Sequence, residues 1–332
     1  MKTIENIKLL AVNLTMFNGN TNVTTDSGLS DAMKTYYSDY LIDLVGPKLV
    51  HAQFGQKQSI PKNSGKKIEW RKYSPLPKAT TPLTEGVTPN GQKLALEAVP
   101  AEVKQYGGFV EISDLLELTA IDNQLVQATK VLGSQAGRTL DTVVREVLVS
   151  GTNVRFPGEK DSRSDLSDSD KLTVELVRKA VRDLKKMNAE KIDGYYIGII
   201  NQDAAYDLMS DPEWKYPHQY VDTQNIYSGE IGAIAGVRFV ETSEGKIFAG
   251  AGAGSNDVYA TLIIGADAYG VVELAGGGLQ HIVKQLGSAG TADPLNQRAT
   301  AGWKATYAAA ILEDAYMVRI ETTSTFNDGV AN

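Results

Sequence analysis

The chain has 332 residues, 33 Lys+Arg against 40 Asp+Glu for a formal net charge of −7, and no cysteine. Its 42% hydrophobic and 22% charged residues are ordinary globular composition, which excludes a disordered chain, and the missing cysteines exclude disulfide staples, thiolate zinc, iron–sulfur clusters and a cysteine nucleophile. The acidic balance argues against a dedicated nucleic-acid binder, whose affinity for phosphates comes from excess Lys and Arg.

Residues 1–30 are polar and rich in Thr, Asn and Ser, and read as an arm with no core of its own. Its apolar stretch, Leu9 to Phe17, is interrupted by Asn13 and Thr15 and falls short of the roughly 20 apolar residues a membrane span needs. Lys2 and Lys8 precede it, but no small-residue cleavage site follows, so it does not read as a secretory signal. Residues 31–50 carry a short helical pattern in Met33, Tyr36, Tyr37, Tyr40, Leu41 and Leu44, closed by Gly46-Pro47.

Two strands are predicted next. Lys66–Tyr73 alternates Ile68 and Trp70 with Lys67, Glu69 and Arg71, and Leu94, Leu96 and Ala98 alternate again. Between them stand Pro75, Pro77, Pro82 and Pro89, four of the chain's 11 prolines. Proline cannot donate to a ladder, so the pattern predicts a long hairpin ending in a stiff extended loop. A lone hairpin is marginal in water, and this one needs a surface to lie on. From Lys57 to Lys78 it holds Lys57, Lys62, Lys66, Lys67, Arg71, Lys72 and Lys78 against Glu69 alone. That basic run reads as a solvated face, a seat for an acidic protein surface, or a DNA contact. The charged face lacks interleaved aromatics that would stack bases, which favours the protein surface.

A long helix is predicted from Ser113, an N-cap with Asp114 and Glu117 in its first turn. Leu118, Ile121, Leu125, Ala128, Leu132, Ala136, Leu140, Val143 and Val147 recur at three- and four-residue steps up to Gly151. Inside it, Gly133 and Gly137 each cost about 1 kcal/mol relative to Ala and mark either close backbone approach or a kink. Residues 152–171 read as an acidic loop, and Leu172–Glu190 as an amphipathic helix burying Leu176 or Val177, Ala180, Leu184 and Met187. Strands at Tyr195–Ile200, Val237–Val240 and Val258–Ile264, with a short helix at Asp203–Met209, give an α/β or α+β layer. Residues 245–290 hold 11 glycines, and strands close the chain at Leu279–Leu286, Ala301–Leu312 and Tyr316–Glu321.

No catalytic pattern emerges. The three histidines, His51, His218 and His281, have no metal-ligand spacing and read as structural. Phosphate-loop, dinucleotide-fingerprint, nucleophile-elbow and EF-hand patterns all fail against the sequence. The expectation is a protein that is not an enzyme, with no cofactor and no metal site. What remains is apolar surface on three projecting elements, the arm, the hairpin and the long helix. Chains of this kind bury such surface in other copies of themselves through repeated small contacts. The candidate subunit-interface residues are Lys57, Lys66, Lys67, Trp70, Arg71 and Lys72 on the hairpin, Asp114, Glu117 and Asp122 at the start of the long helix, and Gly133 and Gly137 within it. The basic and acidic groups are candidate electrostatic partners across copies, an arrangement that favours register and speed more than affinity.

Across residues 24–321 the order of short motifs resembles the major capsid proteins of tailed bacteriophages, with the Hong Kong 97-type shell fold. The wording is closer still to the branch typified by the coliphage N-four coat protein. The motifs are Thr24–Ser30, Phe54–Lys57, Ile60–Lys62, Tyr73–Thr80, Leu83–Thr88, Leu118–Asp122, Gly133–Asp141, Gly236–Thr242, Asp293–Gln297 and Gly302–Lys304. The resemblance implies an α+β fold with an N-terminal arm and short helix (1–53), an extended β-hairpin loop lying over a neighbouring subunit (54–100), and a peripheral domain (101–190) whose spine helix spans 113–150. An α/β axial domain (191–290) and C-terminal strands returning to the peripheral domain (291–332) complete it. It further implies self-assembly, through hexamers and pentamers, into an icosahedral shell around double-stranded DNA bound without sequence specificity. Portal, scaffold or decoration proteins would be partners, with no membrane, and assembly would occur in the host bacterial cytoplasm. An encapsulin-like nanocompartment is the alternative implied by the same fold.

Overall fold

A computed structural model describes residues 50–119, 124–214, 230–288 and 293–327. The arm at 1–30, the helix expected to follow it and His218 lie outside these residues. Strand β1 (Gln56–Ile60) leads into a hairpin of β2 (Lys67–Tyr73) and β3 (Leu96–Glu102), paired antiparallel with Lys67 opposite Glu102 and Tyr73 opposite Leu96. The proline-rich stretch joins the two strands without regular structure.

Strand β4 (Lys104–Ser113) runs directly into helix α1 (Asp114–Thr119), where Ser113 Oγ accepts from the Leu116 amide at 3.2 Å, the expected cap. Helix α2 (Gln124–Val149) follows. The single helix expected over 113–150 is therefore described as two, with residues 120–123 between them outside the described set. Helix α1 buries no side chain, whereas α2 buries Leu125, Leu132, Ala136, Leu140, Val144 and Leu148. Its inward stripe follows steps of four at its C-terminal end, so Val144 and Leu148 take the places expected of Val143 and Val147.

Beyond β5 (Val154–Arg155), helix α3 (Val174–Lys186) is capped by Thr173, whose side chain accepts from the Leu176 amide. Met187, expected inside, is the helix C-cap and is exposed. The chain continues through β6 (Tyr196–Ile200), α4 (Gln202–Ser210), β7 (Glu230–Ile234), β8 (Val237–Glu241) and β9 (Ile247–Phe248). It ends in β10 (Val258–Ile264), β11 (Tyr269–Leu274), β12 (Gln280–Lys284), β13 (Arg298–Ile311) and β14 (Met317–Thr322).

Among the described residues these strands form two main sheets besides the hairpin. One has the order β1-β11-β13-β12 with β4 also on β13, and the other β5-β14-β10-β6-β8-β7 with β9 on β10. Strand β13 is the hub of the first: Thr300–Lys304 lies between β4 and β12, and Tyr307–Ile311 pairs with β11. Helix α2 packs on this sheet, burying Leu132, Ala136 and Leu140 with Tyr269, Ala301 and Trp303. Helices α3 and α4 share a second core with the other sheet, around Leu184, Ala204, Phe239 and Ile263.

The sheets cross the boundaries expected at 190 and 290. Helix α3, assigned to the 101–190 segment, packs into the second core. Strands β11 and β12, assigned to the 191–290 segment, belong to the first sheet, and β14, expected beside the long helix, lies in the second. The reason is non-local pairing, which alternation along one strand does not encode.

Candidate subunit-contact surfaces

The hairpin root is held by its own chain. Alternate residues of β2 turn inward, so Trp70 is only 8% exposed and joins Ile60, Ala101, Val103, Val272 and Ala308 in a third, small core. A side chain on Gly270 of β11 would place its Cβ 2.5 Å from the Trp70 ring. Trp70, expected at a subunit contact, is therefore a core residue of the chain itself. Strand β1, read as part of the extended loop, pairs in parallel with β11 and so belongs to the body.

The basic run is partly answered within the chain. Lys66 lies 2.5 Å and Lys67 4.0 Å from Glu102, and Lys72 is 3.2 Å from Glu97 and 3.0 Å from Glu313. The hydrogen bond and charge of Glu102 raise the Lys66 amine above its ordinary pKa, while Lys66 in turn holds Glu102 below the usual carboxylate range. Lys72 is raised chiefly by its hydrogen bond to Glu313. Such solvent-exposed pairs fix geometry more than they stabilise. These acids stand on the partner strand or 241 residues downstream, where a linear count of the basic run does not register them. Lys57, Lys62, Arg71 and Lys78 remain without an ion pair among the described residues.

Beyond the root, the loop and its flanks expose Tyr73, Leu76, Leu83, Val87, Leu94 and Leu96. Helix α1 exposes Leu115 (67%), Leu116 (45%) and Leu118 (82%) beside the half-buried Asp114 and the exposed Glu117. Asp122 lies outside the described residues. Gly133 and Gly137 are both buried on α2, which runs unbroken past them. This favours close approach over a kink. Nearby, the Trp303 indole donates to Gln135 Oε1 at 3.0 Å, tying the helix to β13.

Two buried polar constellations went unread in the sequence. Asp141 accepts from the His51 amide at 2.8 Å and faces His51 Nδ1 at 2.6 Å, while the Tyr269 hydroxyl donates to the His51 carbonyl. Burial pushes the Tyr269 phenol well above its ordinary pKa. Glu321, fully buried, receives Arg163 through Nε and Nη2 at 2.7 Å each and Arg319 Nε at 2.8 Å. Arg319 also donates to the carbonyls of Val149 and Gly151, at the C-terminal end of α2, where cations are favoured. Among the described residues no group of His, Asp and Glu could hold a metal ion, and no helix is long and apolar enough to cross a membrane.

Comparison with known proteins places this geometry. Residues 110–287, more than half of the chain, match the model of a family described as phage capsid protein. No curated protein matches the sequence. Among solved structures, the capsid of Ralstonia phage GP4 is similar over 84% of this chain and 89% of its own, at 14% identity and a TM-score of 0.65. The cyanophage Pam1 capsid matches over 80% and 87%, at 16% identity and 0.62. A virus-like particle from Pyrococcus furiosus matches over 87% and 99%, at 12% identity and 0.51. At these identities the likeness is one of fold.

Proposed function

This chain belongs to the phage capsid protein family, and we propose that its copies close into an icosahedral shell, through hexamers and pentamers, around a double-stranded DNA genome. It is a structural shell subunit with the Hong Kong 97-type α+β fold, and its place is the virion capsid. The observation that carries the finer reading is the uncovered apolar surface on the hairpin loop and on α1. Among the described residues the body has three cores, and these two elements lie outside all of them.

In this reading the loop between β2 and β3 lies over a neighbouring subunit, and the peripheral and axial regions gather around the α2 and the α3–α4 cores respectively. Lys57, Lys66, Lys67, Arg71, Lys72, Asp114, Glu117 and Asp122 serve contacts between copies. The net charge of −7 suits a container whose wall does not grip DNA, since phosphates repel it. Portal, scaffold or decoration proteins are further partners, assembly takes place in the host bacterial cytoplasm, and the subunit catalyses no reaction.

Electron microscopy of the expressed protein tests this. Closed shells, tubes or capsomer rings support it, and a monodisperse monomer at high concentration overturns it. An encapsulin-like compartment is the weaker reading, because the family match is to phage capsids. Purified shells filled with cargo protein instead of nucleic acid would establish it.

A further inference from the structure

Two exposed apolar patches on the body could receive the hairpin of another copy, and charge separates them. The first surrounds Phe109 and Ile282, which flank Gly302 across β4, β13 and β12 and border a hollow of about 380 Å³. Lys284 lines it and Lys304 stands one pleat away on the same face of β13. The second is helix α1, where Leu115, Leu116 and Leu118 share the surface with Asp114 and Glu117.

The hairpin loop is cationic at its neck. Gln92 Nε2 donates to the Pro77 carbonyl at 3.5 Å, holding the two sides of the loop together. The next residues along each side are Lys78 and Lys93, both exposed and neither in an ion pair among the described residues. Exposed Leu76 and Leu94 adjoin them. A neck with two lysines is repelled by the patch bordered by Lys284 and Lys304, where Glu111 already faces Arg298 at 3.9 Å, and attracted by the one that carries two carboxylates.

We propose that the neck of one copy's hairpin, Leu76–Lys78 with Lys93 and Leu94, seats on helix α1 of an adjoining copy. Its lysines face Asp114 and Glu117, and its leucines cover Leu115 and Leu118. Asp114 and Glu117 stand three residues apart and so share one side of the helix, presenting a paired acidic edge to the paired lysines. This rests on the shell reading above and names the acceptor that reading leaves open.

The chain has no cysteine, which permits a direct test. Chains carrying Leu76→Cys or Leu94→Cys are mixed with size-tagged chains carrying Leu115→Cys or Leu118→Cys and oxidised in assembled particles. A disulfide requires Cα atoms within about 4.4–6.8 Å, so a mixed dimer on a non-reducing gel, from at least one pairing, is expected. Particles without a mixed dimer from any of the four pairings, or with one only between Leu76→Cys and Ile282→Cys chains, overturn the inference and leave the shell intact. Failure of the unsubstituted protein to form particles overturns the shell reading itself. Independently, Asp114→Lys with Glu117→Lys should lower particle yield at least tenfold while the monomer stays folded, its melting shifted only by the lost first-turn acids, and adding Lys78→Glu with Lys93→Glu should restore the yield without restoring the melting curve. Normal assembly of the acidic-edge variant counts decisively against the seat.

Discussion

The ring of Trp70 fills the space that any side chain on Gly270 would need, with three ring atoms within 3.0 Å of the position a Cβ would take. The glycine sits in the middle of a sheet, between Gln56 and Ala310, where a larger residue would ordinarily be favoured. Its absence of a side chain is what lets the hairpin root dock.

Gly270→Val should expel the indole and cost about 1–3 kcal/mol by overpacking, and Trp70→Ala about 3–5 kcal/mol through the cavity it leaves. The double variant should lose less than the sum, because both substitutions remove one contact. Urea unfolding of the three variants measures this. Additive losses would show that the two residues are not coupled.

Glu321 is a carboxylate without solvent exposure, held between Arg163 and Arg319. Glu321→Ala would strand Arg319, itself nearly buried, against the end of α2. The expected loss is about 3–5 kcal/mol, typical of a buried pair broken on one side. Arg163→Ala, which leaves Arg319 on the carboxylate, should cost less. Equal losses in denaturant titrations would contradict this ordering.

Asp170 gives a pH dependence with a definite sign. Burial alone would raise its carboxyl, but this is outweighed by hydrogen bonds from Lys160 and from the Ser167 hydroxyl and amide, so its pKa lies below the ordinary 3.8. A depressed carboxyl contributes fully above the unfolded value and loses its contribution as pH falls through the folded one. Asp170→Asn should therefore destabilise at neutral pH, by about 1.5–3 kcal/mol for charge-assisted bonds, and the gap to the unsubstituted protein should close as pH drops below 3.8. A gap that persists at pH 2 would assign the effect to packing.

Deleting Pro75–Pro89 removes residues that join none of the three cores. The melting transition should move within about 0.5 kcal/mol, as for surface changes away from packed features, while particles fail to form. Particles of normal appearance from this deletion would exclude the loop from assembly.

Much of the fold was legible where local chemistry decides it. The alternation around Trp70, the prolines after it, the Ser113 cap and the apolar runs at Tyr196–Ile200 and Val258–Ile264 each specify a local conformation, whereas the Thr173 cap of α3 went unread. What was not legible depends on partners far along the chain. Whether Trp70 faces its own body or a neighbour turns on Gly270, a residue with no side chain to advertise the contact. The basic run looked unpaired because Glu97, Glu102 and Glu313 join it only after folding. Asp141 and His51 stand 90 residues apart, and Arg163 and Glu321 158 apart, so neither pairing leaves a motif. Leu118 continues the periodic pattern of α2, yet α1 buries none of its side chains, so periodicity alone does not tell a packed turn from a projecting one.

Strand β13 joins β4, β12 and β11 into one sheet, and none of those three pairs with another of them. A ribosome delivers 104–113 and 280–284 before their one partner strand exists, and 269–274 with only β1 to pair with, so the sheet closes only once Arg298–Ile311 has emerged. A polypeptide released prematurely thus lacks the platform on which both its hairpin root and α2 rest. Truncated translation products would be excluded from a growing lattice by their own failure to fold, with no separate inspection step.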